Sequence, residues 1–252
     1  LTQNKMTVAA CYSNGKTLEA SALNPETDRH LLEGFALCND AVLTPDSRLG
    51  DPTELALLDL ARRFYLERPE LERRVPRLDE IAFDSDRKMM TTLHRAGGST
   101  VSYTKGSPDE ILKRCGTILL NGRVVPLDAG KRREIDTALQ TLSAKALRLL
   151  ALGMKTGAPR PEESGLTFVG AAGMMDPIRP EAVKAVRDFR QAGVKTVMIT
   201  GDRKDTAFAI ARELGIARAP SDCMTGAQID ACSPQEFSRA VQHTSVFAMV
   251  SP

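Results

Sequence analysis

Ser102-Tyr103-Thr104-Lys105-Gly106-Ser107-Pro108-Asp109-Glu110-Ile111-Leu112-Lys113-Arg114-Cys115 is the stretch on which the fold turns. Thr100 to Thr104 alternates β-forming residues, which predicts a strand that stops at Lys105-Gly106. A helix then starts with Ser107 as N-cap, Pro108 at N1 and Glu110 at N3, a capping box in which the proline's missing N–H costs nothing. A cation and a glycine therefore stand just ahead of a helix N-terminus. Spare backbone N–H donors and the positive end of the dipole welcome an anion such as a phosphate there. The plainer reading is a capped surface helix after a loop with a solvated lysine.

Upstream, Gly50-Asp51-Pro52-Thr53-Glu54 predicts another helix start, with Asp51 as N-cap, Pro52 at N1 and Leu57, Leu58, Ala61 and Tyr65 turned inward. Glu54 falls at N3, where a capping-box carboxylate belongs, so a structural role competes with a ligand role. Ile81 to Leu93 reads as a strand interrupted by a polar patch at Asp84 to Lys88. A bulge or short turn there would present Phe83 and Lys88 at one opening, although a phenylalanine is more often core. Earlier still, residues 4–12 suit a strand closed by Asn14-Gly15, and a helix after Thr27-Asp28 carries Leu31, Leu32, Phe35 and Cys38 on one face. Gly15-Lys16-Thr17 is no Walker loop, because Ala10 stands where its first glycine belongs.

Downstream, Ile118 to Val125 predicts a hairpin around Asn121-Gly122, followed by a helix over 128–145. Leu147 to Leu152 reads as a strand with Arg148 amid apolar neighbours, wanting either a structural carboxylate or a ligand phosphate. Gly157 to Gly165 has the composition of a linker. Beyond it the pattern becomes βαβα: a strand over 166–174, a helix ending at Gly193, a strand over 194–199, a helix over 205–214 and a strand over 246–250. Such alternation indicates a parallel doubly wound sheet. Ligands bind at the carboxyl ends of its strands, where Asp176 and Thr200-Gly201-Asp202 fall.

At 252 residues, 42% hydrophobic and 26% charged, the chain can bury one large core or two ordinary ones and is not disordered by composition. No run approaches the roughly 18 apolar residues of a membrane span, and no signal-peptide core opens the chain. A net charge of +2, with no Lys/Arg block between aromatics, gives no reason to expect nucleic acid. The cysteines (Cys11, Cys38, Cys115, Cys223, Cys232) are odd in number and scattered, which predicts reduced thiols in a cytosolic setting, neither disulfides nor zinc. His30, His94 and His243 are too far apart in sequence to suggest a metal site. Both ends read as cut: Leu1-Thr2 lacks an initiator methionine and Ser251-Pro252 follows a finished strand. A piece of a longer protein is expected.

Five ordered motifs carry a resemblance over essentially the whole chain: Gly50-Asp51-Pro52-Thr53-Glu54-Leu55-Ala56-Leu57, Phe83-Asp84-Ser85-Asp86-Arg87-Lys88, Lys105-Gly106-Ser107-Pro108-Asp109, Asp176-Pro177-Ile178-Arg179 and Thr200-Gly201-Asp202. Together they resemble the cytoplasmic region of P-type cation-transporting ATPases, close to the type II calcium pumps. The resemblance implies an α+β nucleotide-binding domain on an antiparallel sheet, residues 20–165. That domain would be inserted in an incomplete α/β, Rossmann-like (haloacid-dehalogenase-like) phosphorylation domain supplied by residues 1–19 and 166–252. It also implies ATP and Mg2+ as cofactors, an aspartyl-phosphate intermediate, and transport of a cation, Ca2+ by preference. The setting would be the cytoplasmic domain of an integral membrane protein whose transmembrane and actuator domains are partners.

Carried over by position, Phe83 resembles the aromatic on which adenine stacks, and Glu54 the acid at the adenine edge. Lys88 and Lys105 resemble the lysines lining the purine pocket, Gly106 the residue that lets the backbone approach the base, and Arg148 the cation that meets the phosphates. Thr200 and Gly201 would bind the γ-phosphate, with Asp176 and Asp202 positioning phosphate and magnesium. The phosphorylated aspartate of Asp-Lys-Thr-Gly-Thr would lie just before Leu1, so the chain is expected to bind nucleotide without turnover. Met249 departs from the family, where many relatives carry Arg or Lys. The rivals are a soluble phosphatase of the same fold with a cap insert, and a non-catalytic ATP-sensing module.

Overall fold

The computed structural model describes residues 1–3, 5–44, 46–145 and 147–250. Asn4, the first residue of the strand expected over 4–12, and Ser251-Pro252 lie outside the described residues. The chain divides into a larger unit, Lys5–Met175, and a smaller one, Leu1–Asn4 with Asp176–Pro252.

In the larger unit β1 (Thr7–Ser13) and β2 (Lys16–Glu19) form a hairpin, and α1 (Arg29–Leu37) follows. A two-residue ladder, β3 (Val42–Leu43) with β4 (Arg48–Leu49), leads to α2 (Pro52–Arg63) and α3 (Arg68–Arg74). Next come β5 (Arg77–Asp84), β6 (Met89–Ala96), β7 (Ser99–Gly106), α4 (Pro108–Arg114), β8 (Cys115–Leu120), β9 (Arg123–Pro126), α5 (Ala129–Ala144), β10 (Arg148–Thr156) and β11 (Leu166–Met175). One sheet runs β2-β1-β11-β10-β7-β6-β5 with every pair antiparallel; β8 adds to β11 in parallel and carries β9.

Alternation along the strands sorts side chains to the two faces. Met90, Tyr103 and Leu152 pack with Leu31, Leu32 and Phe35 of α1 and Leu57 and Leu60 of α2. Their strand neighbours Met89 and Ala151 pack on the other face with Ile111 and Leu112 of α4 and Ile135 and Leu139 of α5. The Asn121-Gly122 turn forms as its residues require, with φ of 48° and 76°, the left-handed pair of a type I′ hairpin.

Three local expectations change. β1 and β11, which the resemblance puts outside residues 20–165, are hydrogen-bonded members of this sheet, with Cys11 opposite Ala172 and Leu150 opposite Ala172 from the other side. The Gly- and Pro-rich segment 157–165 joins β10 to β11 within the sheet: Glycine and proline mark a turn, but not whether the chain leaves the domain after it. At α4, Ser107 is the N-cap residue but its side chain makes no cap bond. Glu110 turns instead to Lys113 (2.7 Å) and Arg114 (2.8 Å), three and four residues on, and these cations lower its pKa to about 2.

The smaller unit contains α6 (Pro180–Gln191), β12 (Met198–Ile199), α7 (Lys204–Glu213), β13 (Cys223–Thr225), α8 (Gly226–Asp230), α9 (Pro234–His243) and β14 (Val246–Ala248). Its sheet is parallel, in the order β12-β14-β13, over a core of Met198, Ala207, Ala211, Ala217, Cys223, Val246 and Ala248. The strand expected over 194–199 is reduced to two residues. Thr2 bridges to Ile178, and Gln3 N–H donates to the Pro177 carbonyl at 2.9 Å, tying residues 1–3 to 177–179.

Candidate functional site

Sheet register builds one cluster in the larger unit. Lys105, on β7, lies opposite Met90 of β6 and Leu152 of β10, 6% exposed. Its ammonium forms an ion pair with Oε1 of Glu54, whose side chain is 14% exposed. Glu54 stands at N3 of α2, yet its carboxylate does not close a capping box. Asp51 caps the helix alone, accepting from the Thr53 N–H at 2.8 Å. Oε2 of Glu54 instead accepts from the Asp40 N–H, beyond the end of α1, at 3.2 Å. The carboxylate thus joins two helices and a strand. A buried cation is tolerated only with such a partner.

Gly106, the next residue, lies opposite Met89 and Ala151. A Cβ there would sit 2.4 Å from the Lys88 carbonyl oxygen and 2.6 Å from the Met89 Cβ. The glycine is needed because backbone meets backbone: Ser107 N–H donates to that same Lys88 carbonyl at 3.0 Å. Close approach at Gly106 is therefore made by residues 88–89 of the chain itself.

Both a bulge and a tight turn occur here: β5 slips register against β6 between Ile81 and Asp84, around Phe83, and the chain then turns through 85–88. Asp84 Oδ1 accepts from the Asp86 and Arg87 N–H groups, both at 2.9 Å, and the Lys88 N–H donates to the Asp84 carbonyl at 2.7 Å. Those backbone donors hold the Asp84 carboxyl below its usual range. Lys88 has a φ of 56°, a left-handed conformation that the tight turn imposes. Phe83 ends up 64% exposed, so the rule that phenylalanine is core fails at this position. An exposed ring at the end of a strand is a face to which a planar group can stack. Arg87 anchors the turn by an ion pair with Glu163, whose carboxylate also accepts from the Thr91 hydroxyl at 3.2 Å.

Arg148 starts β10 and is exposed, not enclosed by the apolar neighbours its sequence context suggests. Its charge is felt by Asp51. Burial opposes ionisation of that carboxyl, but hydrogen bonds from Thr53 and the Arg148 charge together hold it below the usual range. Glu54 and Lys105, and Lys88 and Gly106, are thus in direct contact in pairs, Phe83 lies on β5 just before the turn, and the Arg148 charge acts on the N-cap carboxylate of α2. Cavities of about 250 Å3 (around His30 and Tyr103) and 180 Å3 (around Leu43 and Arg68) include none of these residues.

In the smaller unit Thr200, Gly201 and Asp202 form one loop between β12 and α7, at the carboxyl end of a parallel strand. The Thr200 hydroxyl donates to Asp202 Oδ2 at 2.9 Å, and the loop is held by Thr200 N–H to the Phe247 carbonyl (2.9 Å) and Met249 N–H to the Asp202 carbonyl (2.9 Å). Met249 has a φ of 55°. Asp176 opens this unit, half-buried, beside the segment that pairs with residues 1–3.

Reading the residues without the fold misses Asn39, Asp40, Arg77 and Glu163. Asn39-Asp40 after an apolar helix is a stop signal, but its partners are distant in sequence.

Residues 28–181 match the family described as P-type ATPase, cytoplasmic domain N. Over its whole length the chain is 43% identical to Calcium-transporting ATPase 1 of Bacillus cereus, of which it covers 29%. It is 36% identical to a calcium-transporting ATPase of Listeria monocytogenes, covering 30%, and 38% identical to a cation-transporting ATPase of Synechocystis, covering 31%.

Proposed function

The chain belongs to the P-type ATPase family, and from that membership we propose that its larger unit binds ATP on the surface formed by Phe83, Glu54, Lys105, Lys88, Gly106 and Arg148. The observation that carries the reading is the buried Lys105–Glu54 pair on β7 together with an exposed aromatic, Phe83, on β5 of the same sheet, one strand intervening. Adenine stacks on the Phe83 face. The Glu54 carboxylate, its two oxygens divided between Lys105 and the Asp40 amide, keeps a lone pair for the exocyclic amine of the base. Lys88 and Arg148, both exposed, offset phosphate charge.

The smaller unit is assigned to the phosphorylation domain, of haloacid-dehalogenase-like fold, into which the nucleotide-binding unit is inserted. Support comes from the chain path, which leaves this unit after residue 4 and re-enters it at 176. Thr200 and Gly201 would hold the transferred phosphoryl group, with Asp176 and Asp202 positioning it, since phosphoryl transfer is mainly orientation and charge stabilisation. The Asp202 carboxylate and Thr200 hydroxyl are hard oxygen donors of the kind magnesium takes. When bound, the ion would neutralise phosphate charge. In the whole protein an aspartyl phosphate would couple ATP hydrolysis to transport of a cation across a membrane, this region lying on the cytoplasmic side. Calcium is the proposed ion, after the names of the Bacillus and Listeria relatives. None of the described helices is long and apolar enough to cross a membrane. The 252 residues contain no Asp-Lys-Thr-Gly-Thr segment, so by themselves they bind ATP without forming phosphoenzyme.

Calorimetric titration of ATP into the chain tests this. The expected affinity is high-micromolar to millimolar, about −4 to −6 kcal/mol. Phe83→Ala removes a ring that is 64% exposed, so it leaves the fold intact and abolishes most of the heat. A folded chain that gives no heat and no chemical-shift change with ATP overturns the assignment.

A further inference from the structure

Arg77 opens β5, and its guanidinium reaches the end of α1. Nη2 donates to the carbonyls of Leu37 (3.1 Å) and Asn39 (2.7 Å), while Nη1 donates to the carboxylates of Asp40 (2.9 Å) and Glu80 (2.7 Å). Two of these contacts flank a single peptide, Asn39–Asp40. All peptide bonds of the described chain are trans, so the C=O and N–H of that unit point in opposite directions. A donor that fixes the Asn39 carbonyl therefore also aims the Asp40 N–H, and that N–H meets Glu54 Oε2 at 3.2 Å.

The Asn39 side chain, fully buried, locks the same corner. Its Nδ2 donates to the Glu54 carbonyl (3.0 Å) and the Phe35 carbonyl (3.3 Å), and its Oδ1 accepts from the Ala41 N–H (2.9 Å). The chain of contacts runs from Arg77 through the Asn39–Asp40 peptide to the Glu54 carboxylate, and from there to Lys105.

We infer that Arg77 is a positioning residue for purine recognition, holding the Asn39–Asp40 peptide so that the Asp40 amide fixes the Glu54 carboxylate at the base edge. The inference rests on the nucleotide site proposed above. Its consequence is specificity. A fixed carboxylate accepts from the amine of adenine and repels the carbonyl oxygen that guanine presents in its place, whereas a wandering one tells them apart poorly. The forked geometry is essential, because only a planar guanidinium meets two carbonyls and two carboxylates at once.

The test uses the 252-residue chain with Arg77→Gln, Arg77→Lys, Glu54→Gln and the double variant Arg77→Gln/Glu54→Gln. Two quantities are read: hydrogen exchange at the Asp40 amide, and the ratio of GTP to ATP dissociation constants with magnesium present. In Arg77→Gln, Asp40 exchange is expected to quicken about tenfold, one hydrogen bond's worth, while the Met90 and Tyr103 amides keep their protection. The GTP/ATP ratio is expected to fall about five- to tenfold, and Arg77→Lys to restore little of it. On the Glu54→Gln background Arg77→Gln should change the ratio no further. Should Arg77→Gln fail to fold, Arg77→Lys carries the same two readouts. Unchanged Asp40 exchange overturns the inference, as does a ratio that Glu54→Gln alters and Arg77→Gln does not. A ratio that neither substitution alters overturns the role of Glu54 at the base edge, and with it the specificity role of Arg77.

Discussion

Lys105→Met cuts the ion pair at the centre of the cluster while keeping the apolar stem that packs between Met90 and Leu152. Removing one partner of a buried pair strands the other charge, at about 3–5 kcal/mol. Glu54 is left with the Asp40 amide, and its side chain is 14% exposed, so some solvation survives. The lower end, about 3 kcal/mol, is therefore expected. Adding Glu54→Gln removes the stranded charge while keeping an acceptor for the Asp40 amide, and the double variant should lie within about 1 kcal/mol of the parent. Urea unfolding followed through the amide signals of β6 and β7 measures both. With a slope of about 2–3 kcal/mol per molar, the single variant lowers the midpoint by about 1 M and the double variant by less than half of that. ATP binding should weaken in both. A single-variant cost below about 1 kcal/mol, or a double variant at the sum of the two singles, would refute the view that the pair is mutually dependent.

Gly106→Ala brings a Cβ to 2.4 Å from the Lys88 carbonyl oxygen and 2.9 Å from the Met89 Cα, both backbone atoms that no rotamer change can move. A loss of about 2–3 kcal/mol is expected, seen as a melting temperature lower by about 5–10 °C, together with weaker ATP binding as Lys88 shifts. His94 is fully buried, its ring nitrogens 3.2 Å from the Val75 carbonyl and 2.8 Å from the Thr92 hydroxyl. Burial lowers its pKa from 6.5 to about 4, the Val75 carbonyl opposing and the Arg77 charge reinforcing the shift. The unfolded chain thus takes up this proton at higher pH than the folded one. The stability at stake is fully present above pH 6.5 and is lost as pH falls toward 4, about 3 kcal/mol in all. Urea midpoints measured across that window should show the slope, and His94→Gln should flatten it.

Much of this architecture is written locally. Asn121-Gly122 and Asn14-Gly15 specify hairpins because both positions of a type I′ turn need left-handed backbone. Asp51-Pro52 starts α2 because a carboxylate caps the Thr53 amide and proline lacks an N–H to waste. The order of five short motifs carries the family. Each of these signals acts within a few residues, which is why the sequence by itself determines them. Tertiary structure decided the rest. Whether β1 and β11 join the large sheet depends on pairing across more than a hundred residues, which composition around 157–165 cannot report. Glu54 could have closed its own helix; its carboxylate goes instead to Lys105, 51 residues away, because the β6–β7–β10 register places a buried ammonium within reach. Gly106 reads as room for a base, and the fold adds a second demand on it, room for the Lys88 carbonyl. Arg77 has no motif at all, since three of its four partners, the Leu37 and Asn39 carbonyls and the Asp40 carboxylate, are distant in sequence and only folding brings them to it. The physical reason is common to all four: a buried charge or a crowded backbone takes its partner from whatever the sheet register sets opposite it, and register is a property of the assembled sheet.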